Sequence, residues 1–401
     1  MKPLVFLHEE QIRILFENKT LTTTNGFAYC MDDASVIHAF SEIPKVLPSG
    51  KGIRTLFLIY ESKDKLEQSQ IDDYHDNSLI ISLTINDNKL IAKAKLLIET
   101  KIIECIVKYI PEKSELYSRS KGLLETSLLE KKTVGIVGLG SGGSPIAVEL
   151  AKAGIGNFVL IDFDRIELSN VARHICGIND LGRYKTFAVR DCILLKNPYA
   201  KIKTYEIDIN EKPVECNSAL SDVDIIICAS DNDKSRFFLN DIALKNNFPA
   251  IFGRTITRAI GGDVFRVRPH KGPCYNCLHS QNFRNTEEEI SQRERQARKF
   301  LPDYTSEENL DMIVQVGLAS DIAPITNFMV KLALVELSKG FPSGISSLEE
   351  DLVADYYIWA NRREYVYDSL NKLEYNYNKP SILRWYGAKV EKDPNCMVCG
   401  N

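Results

Sequence analysis

Between residues 133 and 229 the apolar residues come in short unbroken runs. Thr133-Val-Gly-Ile-Val137, Phe158-Val-Leu-Ile-Asp162 and Asp224-Ile-Ile-Ile-Cys-Ala229 show no alternation of apolar and polar positions. Strands buried on both faces of a parallel sheet read this way. Between the first two runs the period changes to that of a helix. Ile146, Ala147, Leu150 and Ala151 form one stripe, with Ser144 as a candidate cap, Pro145 in the first turn and Gly154 as a stop. Residues 183–195 predict a second helix, and 202–207 a further strand. Strand, helix, strand in alternation predicts an α/β fold: a Rossmann-like, mostly parallel sheet with helices on both faces.

The flanking regions have other patterns. Residues 56–60 and 78–85 are rich in branched and aromatic side chains, and Asn86-Asp87-Asn88 reads as a turn. With further strand candidates in 97–109, this predicts a smaller N-terminal α+β domain over 1–112. Residues 111–121 read as a polar connector, and the second domain then covers 113–401. Within it, 279–312 is a charged crossover loop carrying Glu287, Arg293 and their neighbours. Residues 319–340 predict an apolar helix with Pro324 near its start, and Tyr356-Tyr-Ile-Trp359 reads as a strand.

Composition narrows the functional classes. Of 401 residues, 44% are hydrophobic and 26% charged, with a formal net charge of -4. Those proportions are ordinary for a soluble globular chain and argue against a dominant nucleic-acid role. No apolar run reaches the roughly 18 residues that span a bilayer. The run at Leu4 to Leu7 is too short for a secretory signal, so no membrane association and a cytoplasmic location are expected. Ten cysteines in such a compartment favour metal binding or burial over disulfides.

Gly138-Leu-Gly140-Ser-Gly-Gly143 follows a predicted strand and opens a predicted helix. There, Gly138, Gly140 and Gly143 allow a tight turn and close approach of backbone to phosphate, beside a helix N-terminus that favours anions. The motif alone leaves NAD, FAD and ATP open. Asp162 ends the next strand, where a carboxylate accepts hydrogen bonds from ribose hydroxyls, and Asp164 sits two positions on. Arg173 and Lys185 add cations, and Asp231 follows the strand 225–229. Taken singly each is a plain surface charge. As a set they fit attack on an α-phosphate, with Arg173 and Lys185 neutralising charge and Asp231 holding Mg2+. Hydride transfer on NAD needs neither the Arg173 and Lys185 cations nor Asp231.

Cys274-x-x-Cys277 and Cys396-x-x-Cys399 are identical spacings far apart in the chain. Together they complete a four-cysteine set for one tetrahedral Zn2+, a closed site that serves folding rather than catalysis. Two redox dithiols, or unrelated buried cysteines, are the alternatives.

These motifs, with Tyr117-Ser-Arg119, Asn170-Val-Ala-Arg173, Gly182-Arg-Tyr-Lys185 and Ser230-Asp231-Asn232, make residues 117–401 resemble the ThiF/MoeB/HesA family, the adenylating domain of ubiquitin-activating enzymes. The resemblance implies an ATP-dependent adenylyltransferase that joins AMP to the C-terminal carboxylate of a ubiquitin-like or sulfur-carrier protein, or of a peptide. It implies that Asp162 binds ribose, that Asn170, Arg173 and Lys185 contact the triphosphate, and that Asp231 organises Mg2+. It further implies that Arg119 reaches the phosphates of a partner subunit, making the active unit a homodimer. One departure stands out: many relatives carry a catalytic cysteine where this chain has Met312 and Ile313. A thioester on that loop is therefore not expected, and an alternative thioester would need Cys176, Cys192, Cys216 or Cys228. A scaffold that only binds a ubiquitin-like protein is a further alternative. The segment 317–325 resembles bacterial relatives found with JAB-type peptidase modules, which implies a degenerate module of that kind over 1–112. That region holds only His8, His38 and His75, without the His-x-His pair of a zinc peptidase.

Overall fold

The computed structural model describes residues 2–400 apart from 18–21, 32–34, 45–49, 69–76, 100, 111–112, 257–258, 281–316 and 363–381. The chain divides into two compact units, Met1–Arg119 and Ser120–Asn401. The division falls inside the connector read at 111–121 rather than at residue 112.

The first unit is a closed barrel. Its strands are β1 (Leu4–His8), β2 (Thr23–Cys30), β3 (Val36–Phe40), β4 (Lys51–Ile59), β5 (Ser78–Asn86), β6 (Lys89–Ile98) and β7 (Lys101–Ile110), in the order β1-β3-β2-β4-β5-β6-β7. The parallel pairing of β1 with β7, Leu4 opposite Ile106, closes it. Val5, Leu7, Phe57, Leu79, Ile81 and Leu83 fill its core. The short helices α1 (Glu9–Ile14) and α2 (Lys63–Gln68) interrupt the strands. The α+β unit expected here is a strand-rich closed barrel with short helices, and its closure joins the two ends of the unit, which no local pattern reports. The Asn86-Asp87-Asn88 turn has positive φ at Asp87 (49°) and Asn88 (61°), the two-residue hairpin geometry that matches strand twist. His38 stacks on Phe6 and His8 on Phe40, and burial followed by the nearby His38 pushes His8 down to about 4. His75 lies outside the described residues. The unit closes with α3 (Lys113–Leu116), and a 3-10 turn, Ser118–Ser120, straddles its boundary.

In the second unit, α4 (Thr126–Leu129) precedes the sheet. There follow β8 (Thr133–Val137), α5 (Gly143–Lys152), β9 (Asn157–Ile161), α6 (Leu168–Val171), α7 (Lys185–Lys196) and β10 (Lys201–Tyr205). Then come α8 (Pro213–Ala219), β11 (Ile225–Cys228), α9 (Asp233–Asn246), β12 (Ala250–Thr255) and β13 (Gly261–Val267). The last described elements are α10 (Tyr275–Ser280), α11 (Ala319–Leu337), α12 (Leu348–Asp351), β14 (Tyr356–Ala360) and β15 (Arg384–Ala388). The sheet has the order β10-β9-β8-β11-β12-β13-β14-β15. The five strands from β10 to β12 are parallel, and β13, β14 and β15 add on antiparallel.

Side chains along each central strand alternate between two cores. Val134, Ile136, Ile225 and Ile227 face α5, α7 and α11; Val137, Ile226 and Cys228 face α8, α9 and α10. That double burial explains the unbroken apolar runs. Each fully buried branched side chain contributes about 1.5–3 kcal/mol. Gly154, with φ 98°, ends α5 as expected. Ser144 is not its cap: the helix already begins at Gly143, and the buried Ser144 hydroxyl donates back to the Gly140 carbonyl at 2.8 Å. Among the described residues no helix is long and apolar enough to cross a membrane.

Candidate active site

The strand order switches at β8: the chain adds β9 and β10 on one side of it and then returns to add β11 and β12 on the other, all parallel. In open α/β sheets ligands bind at the carboxyl ends of the strands at such a point. Here the register aligns Val137 with Ile161 on one side and Cys228 on the other. Gly138, Asp162 and Ala229 therefore form one row just beyond the sheet. Gly138 donates its N–H to Ile161 O (3.0 Å), and Ala229 N–H donates to Val137 O (2.9 Å).

The glycine loop folds tightly on this row. Gly138 has φ 86°, and a Cβ there would lie 2.7 Å from Ala229 O. At Gly143 a Cβ would lie 1.8 Å from Gly138 O, so only glycine lets the first turn of α5 pack onto the loop. Gly140 differs: a Cβ there would meet no atom within 4 Å. Its backbone faces open space at the end of the sheet.

Asp162 organises the loop. Its Oδ2 accepts from Leu139 N–H at 2.6 Å and its Oδ1 from Asp164 N–H at 2.8 Å. Burial pushes its pKa up; the Lys185 charge, then the two N–H bonds, oppose that. Both oxygens thus already serve the protein, leaving one lone pair on each unused by these two bonds. Lys185, nearly buried at the start of α7, donates from Nζ to Asp164 Oδ2 at 2.6 Å. Asn170 accepts the Glu167 N–H with its Oδ1 (3.0 Å), closing a capping box around α6. Arg173 is half-buried in the turn after α6.

Asp231 is exposed, two residues after the Ala229 that the loop packs against. Arg119 is exposed on the Ser118–Ser120 turn at the boundary of the first unit. The structure thus brings Gly138, Gly140, Gly143, Asp162, Asp164 and Lys185 into one hydrogen-bonded and packed group, with Asp231 on the adjoining strand end.

The four cysteines do converge. Cys274 and Cys277 are buried, Cys396 and Cys399 half-buried, and their four Sγ atoms lie within 4.8 Å of one another. Sγ of Cys274 is 3.8 Å from that of Cys277 and 3.7 Å from that of Cys396, and Cys277 is 3.4 Å from Cys399. A tetrahedron with Zn–S of about 2.3 Å has edges of about 3.8 Å, so the donor set fits Zn2+. Asp393 N–H points at Cys277 Sγ at 3.4 Å, as an outer-shell donor to a thiolate does. It is the one cluster of its kind among the described residues.

The family model for ThiF matches residues 117–361, well over half of the chain. The chain belongs to the ThiF family. Curated relatives include the adenylyltransferase and sulfurtransferase MOCS3 of Xenopus laevis, 32% identical over 151 residues, which are 37% of this chain and 33% of that protein. The sulfur carrier protein adenylyltransferase of Thermus thermophilus is 30% identical over 155 residues, 37% of this chain and 56% of that one. The chain thus matches about a third to a half of these relatives' length. Among solved structures, E. coli MccB with succinimide aligns with a TM-score of 0.50 at 19% identity, covering 73% of this chain and 75% of that one, a likeness of fold.

Two ThiF-domain residues around the site escaped the sequence reading. Arg236, buried in the first turn of α9, donates to Asp233 Oδ1 and to the Ser230 carbonyl, each at 2.8 Å, and so fixes the segment that carries Asp231. A cation three residues after Asp233 in a helix start was the available signal. His174 approaches Leu139 O with Nε2 at 2.7 Å, while its Nδ1 accepts from Cys176 N–H at 3.1 Å. Nothing in a lone histidine after Arg173 announces this. Cys216 and Cys228 behave as small apolar residues: both are fully buried, and burial pushes Cys216 up to about 12. Cys176 lies 3.8 Å from Cys192 and is raised by that neighbour and by burial. Met312, Ile313 and the crossover loop lie almost entirely outside the described residues.

Proposed function

We propose that this chain is an ATP-dependent adenylyltransferase acting on the free C-terminal carboxylate of a ubiquitin-like or sulfur-carrier protein, or of a peptide. The observation that carries the reading is the glycine loop at the sheet's switch point. Its backbone is open at Gly140, while Asp162, Asp164 and Lys185 flank it. In the reaction a carboxylate oxygen of the acceptor attacks the α-phosphorus of ATP. The bond from that phosphorus to the β-phosphate oxygen breaks, and pyrophosphate leaves with the electron pair. Asp162 holds the ribose; Asn170, Arg173 and Lys185 offset the growing phosphate charge. Asp231, a carboxylate at the sheet edge, is the residue to hold Mg2+, which keeps most of its waters and uses few protein ligands; bound there it would neutralise the departing phosphates.

The acyl-adenylate leaves without a thioester, because the cysteines near the site are buried or paired. Zn2+ on Cys274, Cys277, Cys396 and Cys399 serves folding. We further assign a homodimer, with Arg119 acting on the partner's phosphates. Exposed apolar side chains on the segment beside the site support such a contact: Phe163, Leu168, Ile175, Ile178 and Leu181. The first 112 residues take a recognition or dimer-shaping role, and the reaction is placed in the cytoplasm.

ATP–pyrophosphate exchange tests the reading directly. Exchange that depends on Mg2+ and on an added acceptor carboxylate supports it. Hydride transfer to NAD without exchange would overturn it. Mixing Arg119→Ala with Asp231→Ala chains tests the shared site: recovered activity supports it, and none refutes Arg119 acting on a partner.

A further inference from the structure

The Leu139 peptide, between Gly138 and Gly140, is gripped at both ends. Its N–H goes to Asp162 and its carbonyl meets His174 Nε2 at 2.7 Å. Because Cys176 N–H points at Nδ1, that nitrogen must be the acceptor. The ring is then neutral with its proton on Nε2, donating to the Leu139 carbonyl. A second proton on Nδ1 would leave the Nε2–H donor in place but would face the Cys176 N–H, and that clash turns the ring away from both Cys176 and the Leu139 carbonyl.

We propose that His174 is a positioning residue that keeps the glycine loop in its nucleotide-binding shape only while its imidazole is neutral, so that ATP binding carries a built-in acid limit. The inference rests on the ATP reading above and adds a regulated residue to the same site. Gly140, where an added Cβ would meet open space, adjoins the clamped peptide, so a rotation at Leu139 redirects the loop backbone that the ATP reading sets against the phosphates. Burial lowers the His174 pKa first, and the hydrogen bond to the Leu139 carbonyl opposes that. Of the charged groups on the packed elements, Lys185 of α7 lowers it further and Asp180, on the 3-10 turn Ile178–Asp180, raises it. The sign follows: the clamp is complete above the ordinary histidine value and is lost as pH falls through a point below about 6.5.

The test is calorimetric titration of the full chain with Mg-ATP from pH 8 to pH 5.5. At pH 8, His174→Ala binds about tenfold more weakly, the size of one lost hydrogen bond. His174→Gln stays within about threefold, since its amide Nε2 can donate to the Leu139 carbonyl. His174→Asn, which can accept from Cys176 N–H but is too short for Leu139, behaves as the alanine variant. On acidification the ratio of wild-type to His174→Gln affinity falls, and titration of the nucleotide cancels in that ratio. A merely structural histidine would lower thermal stability in all three variants and leave the ratio flat. Equal affinity of wild type and His174→Ala at pH 8, or a flat ratio, overturns the clamp. Should His174→Ala not fold, the wild-type and glutamine comparison carries the test. A wild type that does not bind Mg-ATP at pH 8 removes the ATP reading itself, and the clamp with it.

Discussion

Gly140→Ala separates a loop built for a ligand from a loop that is merely tight. In the free protein the added methyl meets no atom within 4 Å, and Gly140 is not among the residues with left-handed φ. The substitution then stabilises the fold by about 0.4–1 kcal/mol, through the unfolded chain's reduced freedom. For a unit of this size that raises Tm by roughly 1–4 °C. With nucleotide bound, the same methyl stands where phosphate oxygens approach the backbone. Overpacking of about 1–3 kcal/mol weakens ATP binding about 5- to 150-fold. The assay is thermal unfolding with and without Mg-ATP. At a nucleotide concentration of about 100 Kd, wild type gains about 2.7 kcal/mol. A variant weakened about 50-fold gains about 0.6 kcal/mol by the same relation. Gly143→Ala behaves oppositely, because its Cβ would sit 1.8 Å from a backbone oxygen, and it lowers Tm without nucleotide. A Gly140→Ala protein that keeps the full ATP-induced shift would refute the claim that phosphates lie against this loop.

Other outcomes follow from the same geometry. Arg236→Ala takes the guanidinium from the buried Asp233 carboxylate and a donor from the Ser230 carbonyl; urea unfolding is expected to register a loss of about 3–5 kcal/mol. Asp231→Ala, at an exposed position, should leave Tm within experimental error while abolishing ATP–pyrophosphate exchange; full exchange would strike Asp231 from the Mg2+ role. Elemental analysis should find about one zinc per chain, and Cys396→Ser or strong chelation should lower Tm; a metal-free protein with unchanged Tm would refute the site.

The sheet domain was legible because its strands are buried on both faces. Val134, Ile136 and Val137, or Ile225 to Cys228, must then all be apolar, and such runs are visible in one dimension. The four-cysteine set was legible because metal chemistry restricts residue type so strongly that spacing suffices. The barrel's closure was not, since the pairing of Leu4 with Ile106 leaves no local signature. Ser144 shows a different failure. Its residue type suits a cap, but Gly143 already begins the helix by packing onto Gly138, and the hydroxyl turns back to Gly140. The inward supports of the site, Arg236 and His174, went unseen because their partners include backbone carbonyls, which every residue has.

The cysteine cluster also has a history in time. Cys274 and Cys396 are 122 positions apart in the chain. At about 5–20 residues per second, a ribosome needs roughly 6 to 24 s to travel from the first pair to the second. Throughout that interval the nascent chain presents two thiols without their partners, open to oxidation or to a softer metal such as Cu(I). On the Zn2+ reading, the supply of ions during synthesis then bears, along with affinity, on which metal the finished cluster would hold.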